Sequence, residues 1–185
     1  MIKNKNMAKR KETNVFGKSK ASALVLAGIF VAVYVILNFF SIVVSNFLII
    51  RFSFLAFVAA GYVFEPMMAM QIGFASDILA FIIKPQGFYF IGFTLNAILV
   101  CYIYSRFLHN KRITKRRVFI TLAVSVGLIS FIFNPLWLYF MYNTNVYSVM
   151  RVITAIIKYP IDVFLAYSLL KLLERTNFGF NKSKR

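Results

Sequence analysis

Arg151, Lys158 and Asp162 stand inside the last long apolar stretch of a chain whose apolar stretches are otherwise almost free of charge. A charge at the centre of a bilayer costs about 2.5–3.5 kcal/mol even on lenient insertion scales, so such residues face a partner, a cavity or a ligand. At roughly 100° per residue the three fall in one narrow sector of a helix, and a rise of about 1.5 Å per residue sets the two cations about 10 Å apart along the axis. A cationic stripe of this kind, aimed into a bundle, suits an anionic ligand. A competing reading pairs Lys158 with Asp162 as an i,i+4 ion pair, which leaves Arg151 as the principal free cation. Arg151 and Arg51 both lie near the outer ends of their stretches and are also placed to snorkel toward headgroups.

Two further groups carry polar chemistry within apolar surroundings. Asp77 follows Gln71, Gly73 and Ser76 in one stretch; Thr94 and Asn96 follow the aromatic cluster Phe88-Tyr89-Phe90 and Phe93 in the next. An apolar pocket with a few placed polar groups is the usual make-up of a small-molecule site; hydrogen bonding between helices is the alternative use of Thr94 and Asn96. Asn134-Pro135-Leu136-Trp137 and Pro160 interrupt the last two stretches, each freeing carbonyls one turn earlier. Such breaks are tolerated where neighbours or a cavity satisfy the freed groups.

The remaining inventory excludes several classes of function. The acids are Glu12, Glu65, Asp77, Asp162 and Glu174, with one cysteine, Cys101, and one histidine, His109. These provide no metal-ligand cluster, no disulfide and no nucleophile with a base, so neither a cofactor nor catalysis is expected. Gly17-Lys18-Ser19 resembles the end of a phosphate-binding loop, but Glu12 occupies the position of the required earlier glycine. Energy for uphill transport must come from an ion gradient or a partner.

The elements that must position these residues follow from hydropathy. With 61% hydrophobic and 18% aromatic residues, the chain reads as an all-α integral membrane protein. Apolar runs long enough to cross about 30 Å of hydrocarbon lie at about 21–40, 48–64, 67–83, 88–108, 118–141 and 147–170, which predicts a bundle of six transmembrane helices. The segment Asn38 to Arg51 mixes apolar residues with Ser41, Ser45 and Asn46, so a re-entrant or outer loop competes with helix there. Residues 1–20 form a basic N-terminal segment, 21–173 the membrane domain and 174–185 a basic tail.

The net charge of +17 is concentrated: 18 of the 22 Lys and Arg residues fall in residues 1–20, 106–117 and 171–185. With six spans these segments share one side, and the positive-inside rule puts both termini in the cytoplasm. The charge is therefore a topology signal aided by anionic lipid, and a nucleic-acid role is set aside. Two small-residue seams, Ala23-x3-Ala27 and Gly28-x3-Ala32, run along the first span and allow close helix approach.

The order of these elements resembles the substrate-binding S components of energy-coupling factor (ECF) vitamin transporters, and among them the folate-specific ones. The resemblance is carried by Arg51-Phe52-Ser53-Phe54-Leu55, Ser76-Asp77-Ile78-Leu79, the run Gly87 to Leu95, Asn134-Pro135-Leu136-Trp137, and Arg151-x6-Lys158-Tyr159-Pro160-Ile161-Asp162. It implies a high-affinity subunit of the bacterial cell membrane that captures folate from outside, with Arg51, Asp77, Phe88, Tyr89, Asn96, Trp137, Arg151 and Lys158 at the substrate. It also implies docking through Ala23 and Ala27 on a transmembrane coupling protein that carries two cytoplasmic ATPase subunits. Glu65-Pro66 departs from the family's glycine-proline, and Asp162 from its commoner glutamate. A flat pterin suits aromatic walls with an amide or carboxylate edge, and a glutamate tail suits Arg or Lys. An S component for another vitamin or a nucleobase-like cargo is the alternative, followed by a solitary secondary transporter using Asp77 and Asp162 as ion sites.

Overall fold

The computed structural model describes residues 20–43, 49–85, 89–142 and 149–176. Helix α1 (Lys20–Phe39) leads into a short antiparallel hairpin of β1 (Ser41–Val43) and β2 (Ile49–Arg51), registered Ser41 to Arg51 and Val43 to Ile49. Then come α2 (Phe54–Val63), α3 (Pro66–Ile83) and α4 (Ile91–Leu108). Helix α5 (Lys115–Val126) continues through a π-helical segment, Gly127–Phe133, into α6 (Asn134–Tyr142), and α7 (Val149–Arg175) follows.

The chain is an all-α membrane protein, and among the described residues that hairpin is its one sheet. Among the described residues four stretches, Ala21–Phe39, Pro66–Ile83, Ile91–Leu108 and Lys115–Trp137, are long and apolar enough to cross a bilayer. Their outward faces carry large apolar side chains such as Leu24, Val25, Met67, Ile82, Ile91 and Phe119, while the core is rich in small ones: Ala56, Ala59, Ala60, Ala69, Ala97 and Ala166. That inversion is what a lipid solvent favours, because small residues let helix backbones approach where no hydrophobic force drives them together.

The second predicted span needs correction. Helix begins at Phe54 rather than at residue 48, because Ile49–Arg51 pairs as a strand, and the β-branched runs on both sides suit that pairing. Ten residues rise about 15 Å, half of the hydrocarbon thickness, so α2 alone does not cross. The fourth helix likewise starts at Ile91, not residue 88, and the last runs on to Arg175.

Helix α4 is the hub, packing on α3, α2 and α5. It approaches α2 at Gly61, where an added Cβ would lie 2.5 Å from Tyr104 Cβ, and α3 at Gly73, where one would lie 2.7 Å from the Ala97 carbonyl oxygen. Asn110, with φ of 54°, closes the helix in the left-handed conformation that asparagine tolerates. Pro66 opens α3 at its first turn, where a missing N–H costs nothing. The break at Asn134-Pro135 is taken up by π-helical widening: the Asn134 N–H bonds the Ile129 carbonyl, five residues back.

Candidate functional site

A cavity of about 510 Å³ opens at the end of the bundle opposite the Leu108–Lys115 turn. Several elements converge there: the end of α1 with Tyr34 and Asn38, β2 with Arg51, the start of α2 with Phe57, the end of α3 with Asp77 and Lys84, and the start of α4 with Tyr89, Phe90, Phe93 and Asn96. The antiparallel order of α1 to α4 makes this convergence unavoidable, since the hairpin and the α3–α4 connection lie at one end.

Two hydrogen-bond networks set the polar groups. In the first, the Tyr89 hydroxyl meets Thr94 Oγ1 at 2.6 Å, and Thr94 Oγ1 donates to Asp77 Oδ2 at 2.7 Å. In the second, Trp137 Nε1 donates to Asn96 Oδ1, and Asn96 Nδ2 donates to Asn134 Oδ1, both at 3.0 Å. An indole N–H can only donate, so Asn96 must turn its oxygen toward Trp137 and its amide nitrogen toward Asn134. The side chain that lines the cavity is thereby locked in one orientation.

Aromatic rings form the walls. Tyr34 stacks on Phe57 at 4.1 Å between centroids, Phe81 tilts against Tyr89 at 4.9 Å, and Phe90 meets Trp137 edge to face at 5.7 Å. Gly92 permits the last contact: a Cβ there would come within 2.6 Å of Trp137 and would collide with the Phe90 ring. Arg51 and Lys84 share the lining with Asp77, yet neither cation forms a salt bridge among the described residues; Lys84 Nζ lies 5.4 Å from the Phe39 ring centroid. The arrangement suits a molecule with a flat polar heterocycle at one end and anionic groups at the other.

The residues singled out from sequence divide clearly. Arg51, Asp77, Tyr89 and Asn96 come together on the cavity surface. Trp137 stands one layer behind, acting through Asn96 and Phe90. Lys158 is not on that surface; its Nζ is 3.7 Å from Asp162 Oδ2 and 6.0 Å from the Phe54 ring centroid, so the intrahelical pair forms. Phe88 and the side chain of Arg151 lie outside the described residues. Lys84, Tyr34, Asn38 and Phe57 also line the cavity, and no local pattern in the sequence marks them.

The two seams of α1 also part. Ala23 and Ala27 are 3% and 7% exposed and pack within the chain's own fold, whereas Gly28 and Ala32 are exposed and a Cβ at Gly28 would meet nothing. Ala27 and Gly28 both border an apolar groove of about 660 Å³ between α1 and α3. A partner helix would therefore reach Gly28 and Ala32 directly, and Ala27 only through the groove.

No family model matches the chain. Over 171 residues it is 30% identical to the folate transporter FolT of Leuconostoc mesenteroides subsp. mesenteroides, covering 85% of this chain and 89% of the relative. The chain belongs to the FolT family. The folate transporter FolT of Clostridium novyi (strain NT) is 27% identical over 158 residues, 84% of this chain and 92% of that one. A crystal structure of FolT bound with folic acid superposes with a TM-score of 0.73 at 35% identity, covering 80% of this chain and 90% of that chain. The resemblance to the folate-specific S components is thereby confirmed, and the FolT relatives are named as transporters.

Proposed function

We propose that this chain is the membrane-embedded folate-capturing subunit of an ECF-type importer of the bacterial cytoplasmic membrane. The observation that carries the reading is the cavity itself, whose lining joins an acid and a locked amide to aromatic rings and to Arg51 and Lys84, which form no salt bridge among the described residues. Its volume falls within the range of about 300–1,000 Å³ that small-molecule pockets occupy. The pterin lies against Asp77 and Asn96 between the rings of Tyr34, Phe57 and Phe90, with Tyr89 beside it. The glutamate carboxylates pair with Arg51 and Lys84, and Arg151 is assigned to the same anionic tail. Lys158 holds the bundle through Asp162, and Trp137 holds Asn96.

In this reading residues 21–173 form a six-span domain between a basic N-terminal segment, 1–20, and a basic tail, 174–185, both cytoplasmic, and the cavity opens outward. ATP is hydrolysed by two partner subunits, and a transmembrane coupling protein meets α1 along Gly28, Ala32 and the groove beside Ala27. Equilibrium binding of a panel of radiolabelled vitamins to the detergent-purified chain tests the proposal. Tight saturable binding of folic acid alone supports it; preference for another vitamin overturns the cargo, and binding of none overturns the capture role.

A further inference from the structure

We propose that Thr94 is a positioning residue that makes the Asp77–Tyr89 side of the cavity an acceptor-only face, so that the site selects a heterocycle edge built of N–H donors. The inference rests on the folate reading above and names the part of the ligand that α3 and α4 read.

Thr94 is 1% exposed and does not line the cavity, yet it joins two residues that do. Its hydroxyl has one proton. That proton goes to Asp77 Oδ2 at 2.7 Å, so the 2.6 Å contact with Tyr89 must run from the phenol to Thr94 Oγ1. Tyr89 has then spent its own single proton, and its oxygen has only lone pairs left for the cavity. The Asp77 carboxylate is an acceptor in any case, and its Oδ1 has no partner among the described residues. One buried threonine, in the first turn of α4, thus sets the hydrogen-bonding polarity of two side chains from different elements.

A carbonyl or bare ring nitrogen placed against this face opposes lone pair to lone pair and leaves buried acceptors unmade. An amino group beside a ring N–H, as in a 2-amino-4-oxo-pteridine, satisfies them. The discrimination is a property of the proton order, not of shape, because replacing an exocyclic amino group by an oxo group leaves the outline of the ring almost unchanged.

Calorimetric titration of the full chain in detergent with folic acid, and with its 2-deamino-2-oxo analogue, tests this. The wild type should favour folic acid by on the order of 100-fold, the cost of leaving a buried polar pair unsatisfied. Thr94→Val keeps the volume but releases the Tyr89 proton to serve the oxo group, so the ratio should fall below about 10-fold. Thr94→Ser restores the hydroxyl and should restore the ratio, which a merely structural threonine would not require. Should Thr94→Val fail to fold, Tyr89→Phe deletes one acceptor and should narrow the ratio in the same direction. An unchanged ratio in Thr94→Val, or in Tyr89→Phe where that variant stands in, would overturn the proposal, as would equal wild-type affinity for both ligands. Failure of the wild type to bind folic acid at all would strike the folate reading itself, and this inference with it.

Discussion

Lys158 and Asp162 on α7 and the Arg51–Lys84 pair at the cavity bring charge to the same apolar bundle in opposite ways. On α7 the two charges are one helical turn apart, 3.7 Å between Nζ and Oδ2, so they pair within their own helix, although Asp162 Oδ1 is buried without a hydrogen-bond partner among the described residues. At the cavity the cations come from β2 and from the end of α3, and no acid among the described residues pairs with either. A charge with an i,i+4 partner is an element of stability, whereas cations brought together by different elements without a counter-ion leave their electrostatic demand to a ligand. The stripe most conspicuous in the sequence is therefore partly spent internally, and the cavity draws on residues that sequence spacing does not connect.

The largest expected effect would break that contrast on its structural side. Lys158→Met leaves the buried Asp162 carboxylate unpaired and should cost about 3 kcal/mol of stability, while Lys158→Met with Asp162→Leu recovers most of it. Thermal melts of the purified protein, read beside folic acid titrations, decide the matter. A loss of affinity at unchanged stability would move Lys158 to the ligand.

Next in size, Asp77→Asn should weaken folic acid and a pterin fragment alike by about 2 kcal/mol, because a charged acceptor is lost from the heterocycle's face. Fragment binding left intact would place Asp77 outside the pterin's reach.

Arg51→Ala and Lys84→Ala should each cost about 1 kcal/mol for folic acid and almost nothing for a fragment without the glutamate, with the effect shrinking as salt rises. Arg151→Ala in the same titrations sorts its role: a tail-specific loss assigns it to the carboxylates, and none assigns it to the headgroups.

The smallest effect on stability concerns α1. Gly28→Leu should leave the melting temperature unchanged yet impair uptake and copurification with the coupling protein, since a side chain there points into open space. Ala27→Leu should instead cost about 1–3 kcal/mol by overpacking the chain's own core. Normal uptake by Gly28→Leu would show that this face meets lipid only.

Local physics accounts for what was legible in the sequence. Hydropathy over some twenty residues marks α1, α3, α4 and the α5–α6 stretch because the solvent itself is apolar, and i,i+4 spacing alone makes Lys158 meet Asp162. The break at Asn134-Pro135 was likewise readable, since proline's missing N–H is a property of one residue. The sequence by itself also marked Arg51, Asp77, Tyr89 and Asn96 as residues of interest, because polar groups in apolar stretches are costly wherever they lie. Only the tertiary structure decided which of them meet. Pairing at 49–51 shortened α2 because strand partners are chosen across a turn, and Ala27 turned inward while Gly28 faced out because a helix rotates to suit its neighbours. Lys84 joined the cavity, Trp137 moved behind Asn96, and Thr94 came to bridge Asp77 and Tyr89, because a proton's direction and a side chain's partner are fixed by distances between elements far apart along the chain.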